Sequence, residues 1–141
     1  MEIEDLLQQQ YWIIDILPKQ VPANSDGQYH RVEKFFLNRK THLRQKYVNL
    51  LLKLNCYYGL EASFDGEVWA RNPAPETLEQ MIMTDPPNEH TLYFSVSQCK
   101  VLMTLENDST YMTVYNPTGE FLELISQLAT AEGVFVWRPQ E

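Results

Sequence analysis

The chain has 141 residues, of which 44% are hydrophobic, 12% aromatic and 21% charged, and its formal net charge is −8. That length and mixture describe one globular domain able to bury roughly two thirds of its unfolded surface, and exclude a disordered tail or a miniature that depends on staples. The acidic balance argues against nucleic acid as a partner, because a polyanion is repelled, and no apolar run approaches the roughly 20 residues that span a bilayer.

The first residues, Met1-Glu2-Ile3-Glu4-Asp5, are acidic where a secretion signal is basic. Cys56 and Cys99 are far apart, with no Cys-x-x-Cys partner. Both features suit free thiols and a cytoplasmic location. Residues 2–9, rich in Glu, Leu and Gln, predict a short helix. Residues 11–17 are aromatic and β-branched and stop at Pro18, which predicts a strand. Asp15 falls inside that strand on the face of Ile13 and Leu17. A solvated or edge position is expected for it, since burying an isolated carboxylate is costly.

After a loop at 18–28, apolar residues recur at three- and four-residue steps from Val32 and Phe36 through Leu43, Tyr47, Leu50, Leu51 and Leu54 to Tyr58. They predict one long helix over 29–58, with Asn38 as a place where it divides and Gly59 as its C-terminal cap. Asp65-Gly66 between two short β-type runs, 60–64 and 67–70, predicts a tight hairpin. Pro75 fits the first turn of a helix reaching Met83, and residues 85–88 break the chain again. Strands follow at 91–96, 99–106 and 110–115. Asn116-Pro117 then opens a last helix as cap and first residue, Gly133 closes it, and 134–137 forms a final strand. Hairpins outnumber strand–helix alternations, so the expected class is a single α+β domain over 1–141. Its largely antiparallel sheet packs against the long helix and the C-terminal helix.

The motifs that announce common chemistries are missing. Glycines at 27, 59, 66, 119 and 133 lie too far apart for G-x-G-x-x-G or a Walker A loop. His30, His42 and His90 are isolated, so neither metal nor cofactor is called for. None of the six serines stands in G-x-S-x-G, and neither cysteine has a base beside it in sequence. The carboxylates Glu61, Asp65 and Glu67 read as solvated charges around a hairpin, not as an acid–base pair.

One asymmetry remains. Residues 29–58 hold seven of the eleven bases and a single acid, Glu33, while the rest of the chain holds four bases against eighteen acids. Arg39, Lys46 and Lys53 recur every seven residues along one edge of the apolar stripe, and Lys40 and Arg44 flank its other side. These five residues form a candidate ridge for the acidic surface of another protein; the competing reading pairs them internally. The expected function is therefore a non-catalytic interaction module, with homo-oligomerisation left open. The alternative is a small-molecule-binding domain or weak hydrolase with a pocket between long helix and sheet, walled by Tyr47, Tyr58, Trp69 and His90.

Overall fold

The computed structural model describes residues 3–84 and 91–139. Two helices and a strand come first: α1 (Ile3–Leu6), β1 (Tyr11–Asp15) and α2 (Gln28–Leu37). The middle of the chain forms α3 (Lys40–Leu54), β2 (Glu61–Ser63), β3 (Ala70–Arg71) and α4 (Pro75–Met83). The remainder forms β4 (Thr91–Val96), a single 3-10 turn at Ser97–Cys99, β5 (Val101–Glu106), β6 (Met112–Tyr115), α5 (Gly119–Ala131) and β7 (Phe135–Trp137). The strands make one seven-stranded sheet in the order β3-β2-β4-β5-β6-β1-β7, antiparallel at each described pairing. The α+β class expected from the sequence is the class found. None of the described helices is long and apolar enough to cross a membrane.

Alternation along the strands decides which face is covered. In β4, Leu92, Phe94 and Val96 are buried while Thr91, Tyr93 and Ser95 are half-buried, the period of two that sends successive side chains to opposite faces. The buried set meets α3, α4 and α5, whose Leu43, Tyr47, Leu50, Leu51, Leu54, Leu78, Ile82, Phe121 and Ile125 complete the core. The stripe read from the sequence is thus the stripe that packs. On the opposite face, among the described residues, short α1 and the chain around α2 add cover: Leu6 is buried, and Leu102, also buried, shares a cleft with α1.

Several expectations need correction. The long helical stretch divides at Asn38, the break the sequence left open: Asn38 caps α2, and Arg39, with φ −124 and ψ 45, leaves helical geometry before α3 begins. The second helix ends at Leu54 through Asn55, not at Gly59. The tight Asp65-Gly66 hairpin is a wider loop. Its strands pair Glu61 with Arg71 and Ala62 with Ala70, so residues 64–69 lie outside the ladder. Asp65 holds that loop by accepting from the backbone N–H of Glu67 at 2.8 Å and of Val68 at 3.0 Å, bonds that compete with a two-residue turn. Asn116 adopts a left-handed φ of 65, donating through its backbone N–H to the Gln10 carbonyl and through its side chain to the Lys100 carbonyl. The cap of α5 is Thr118. Residues 97–99 form the 3-10 turn, so β5 starts at Val101 and Cys99 lies before it. The strand at 11–17 is not an edge: β1 lies between β6 and β7. Asp15, expected to be solvated, is 5% exposed. The break at 85–88 falls outside the described residues.

Candidate functional site

The sheet face opposite α3, α4 and α5 carries the half-buried side chains of several strands. Register places Tyr11, Ile13 and Asp15 of β1, Thr113 and Tyr115 of β6, Tyr93 and Ser95 of β4, and Phe135 and Trp137 of β7 on this side. Tyr11 and Tyr115 are paired across β1 and β6, with ring centroids 5.9 Å apart. Half-buried tyrosines suit such a face because each combines an apolar ring with a polar tip.

Three clefts open there. The first, of about 770 Å³, lies between α1, the loop after β2 and the exposed side of β4. Trp69 and Tyr93 give it aromatic walls, and Glu4, Glu61, Asp65 and Glu67 give it four carboxylates; no basic side chain lines it among the described residues. The Asp65 carboxyl is held below the usual carboxylate range, chiefly by the backbone N–H groups of Val68 and Glu67 and by the Ser63 hydroxyl. Gly66 lets α1 come close, since a Cβ there would meet Ile3 Cδ1 at 3.2 Å and its φ is +81. The second cleft, about 570 Å³, crosses β1, β6 and β7. The third, about 340 Å³, lies between β1 and the loop preceding α2, with Lys19 and His30 in its lining.

Asp15 lines both of these smaller clefts, together with Gln20, Tyr29 and Trp137. Its Oδ1 accepts from the Ile16 backbone N–H at 2.7 Å. Burial pushes the carboxyl from its ordinary 3.8 up to about 6. Backbone N–H groups of Ile16 and Leu17 oppose the rise, and the charge of Glu33 adds to it. The Tyr29 hydroxyl donates to Glu33 Oε2 at 3.1 Å, and burial followed by the Glu33 charge raises that phenol to about 12. Burial also pushes Tyr111 and Tyr115 upward. The indole Nε1–H of Trp137 is buried and has no acceptor among the described residues.

The residues singled out from sequence are scattered. Arg44 turns inward, 7% exposed, and donates to the Ile82 carbonyl at 3.2 Å and to the backbone and side-chain oxygens of Asn107 at 2.9 and 2.7 Å. Lys46 donates to the Glu132 carbonyl at 3.0 Å, while Lys53 is ion-paired with the Glu132 carboxylate. The long basic ridge is thus broken between α2 and α3, and two of its bases serve the C-terminal end of α5. Arg39 stacks on the Phe35 ring, 3.7 Å from its centroid, and donates to the Phe35 carbonyl. Lys40 starts α3 half-buried. The site imagined between helix and sheet is filled core: Tyr47 is fully buried, and its hydroxyl donates to the Thr110 carbonyl at 2.6 Å, with Ile14 O in reach at 3.2 Å. Tyr58 packs on Phe121, Trp69 belongs to the acidic cleft on the other face, and His90 lies outside the described residues.

Sequence reasoning assigned Asp15 to solvent and passed over Tyr29, Tyr115 and Trp137. A signal was present in the alternation itself. Tyr93-x-Ser95 and Thr113-x-Tyr115 put amphipathic residues at every second position opposite fully apolar ones, the pattern of a sheet with one open face. Compared with family models, curated proteins and solved structures, the chain matches none of them.

Proposed function

We propose that the protein is a non-catalytic interaction module whose docking surface is the open face of the sheet, and that its partner presents a basic segment. The observation that carries this reading is the cleft of about 770 Å³ at Trp69 and Tyr93, with four carboxylates in its lining. Aromatic walls supply contact area and attract cations over their faces, and carboxylates with no base among them select positive charge and repel acidic competitors. The sequence pointed to the opposite polarity, a basic ridge meeting an acidic partner. With Arg44 inside and Lys46 and Lys53 engaged at Glu132, support moves from the ridge to the acidic face.

The test is capture of a partner by the wild type, by Glu61→Lys/Glu67→Lys and by Arg39→Glu, each shown by circular dichroism to be folded, with cross-linking to locate contacts. The expected result is a protein cross-linked at the acidic cleft, retained by Arg39→Glu and lost by the double reversal, with binding that weakens as salt rises. A partner lost by Arg39→Glu and kept by the double reversal would return the site to the basic helix.

A further inference from the structure

The second and third clefts share a wall that lies outside the acidic cleft. There β1 presents Asp15, and β7 presents Trp137 two residues beyond Phe135, which is the register partner of Asp15. Diagonal neighbours across an antiparallel pair stand roughly 7–8 Å apart, so a group of a few atoms can bridge the carboxyl and the indole. The Asp15 carboxyl accepts from the backbone N–H groups of Ile16 and Leu17, whereas the Trp137 N–H has no acceptor among the described residues. A buried N–H is ordinarily hydrogen-bonded, so such a group beside a cleft calls for a partner.

The groups facing Asp15 define what fits. From α2 come Tyr29 and the carboxylate of Glu33, and Tyr111, just before β6, completes the aromatic surround. Lys19 and His30 line the third cleft, but no base lines the second among the described residues. In the second cleft a further anion is disfavoured beside Asp15 and Glu33, whereas a cation restores the carboxylate and meets the ring faces.

We propose that this wall is a binding site for a small organic cation, an ammonium or guanidinium compound with a carbonyl oxygen a few atoms away. The cation pairs with Asp15, and the carbonyl accepts from Trp137 Nε1 after a small rotation of the half-buried ring. The site is independent of the acidic cleft at Trp69.

Phenylalaninamide, which carries both groups, and hydrocinnamamide, which lacks the ammonium, are the probes. They are titrated into 15N-labelled protein, with the Trp137 indole resonance identified by its loss in Trp137→Phe. Phenylalaninamide is expected to move that resonance and to bind at least about tenfold more tightly than the neutral amide. Asp15→Asn, which keeps an oxygen for the Ile16 N–H, is expected to lose that tenfold, while Glu61→Lys/Glu67→Lys leaves binding unchanged. Equal binding of the two amides, an unmoved indole resonance, or affinity indifferent to Asp15→Asn would overturn the proposal, whatever the fate of the docking surface.

Discussion

Asp15 is where a residue-scale rule and the fold collide. The expectation of a wet carboxylate followed from the cost of burying charge, and that cost is present: the side chain is 5% exposed and titrates at about 6 instead of 3.8. The sign of the pH dependence follows. The folded protein holds this proton more tightly than the unfolded chain, so the stabilisation from a protonated Asp15 is full below about 3.8 and is lost as pH rises through about 6. Thermal melts of wild type and Asp15→Asn across that window are expected to diverge. The variant gains on the wild type as pH rises from 4 toward 7, then runs parallel to it above. A constant offset across the window would mean that Asp15 titrates normally. The position could not be read from sequence because Asp15 needs β7 on one side and α2 above it, both distant in the chain.

At the scale of elements, the apolar stripe of α3 was legible and the use of its charges was not. Leu43, Tyr47, Leu50, Leu51 and Leu54 follow the helical period, and any stable packing must bury them. Arg44 neighbours that stripe, and its long side chain enters the core because the last turn of α4 and the residues after β5 offer carbonyl oxygens there. Those acceptors come from segments nearly 40 and more than 60 residues away. Arg44→Ala is expected to lower stability by about 2–3 kcal/mol, since it strands buried carbonyls, whereas exposed Arg39→Ala changes it by no more than about 1 kcal/mol. Chemical denaturation of the two variants checks the contrast, and equal effects would contradict the internal role of Arg44. Glu132 organises the far end. Burial raises its carboxyl, but hydrogen bonds from Lys53 and Asn49 outweigh that and hold it below the usual range. The tight hairpin failed for a comparable reason: Asp65 spends its side chain on Glu67 and Val68, which local propensity does not register.

For the whole molecule, the layered arrangement sets both stability and access. β5 is buried along almost its entire length, flanked by β4 and β6, whereas β3 is a two-residue exposed edge and α1 is one turn. Hydrogen exchange is expected to be slowest in β4, β5 and β6 and fastest in α1 and β3, because opening an edge exposes little apolar surface. Slow exchange in α1 would indicate that the acidic cleft is a closed part of the core. Fast exchange there suits a face that receives another molecule.

The sequence by itself determined the α+β class, the helical stripe, the run of strands from residue 91 and the acidic balance, because periodicity and composition are local or global sums. Tertiary structure alone decided that β1 lies inside the sheet, that Arg44, Lys46 and Lys53 are turned to internal partners, and that carboxylates and tyrosines meet on the open face. Each of those outcomes rests on groups brought together from distant positions, where desolvation and hydrogen bonding depend on neighbours that no sequence window contains.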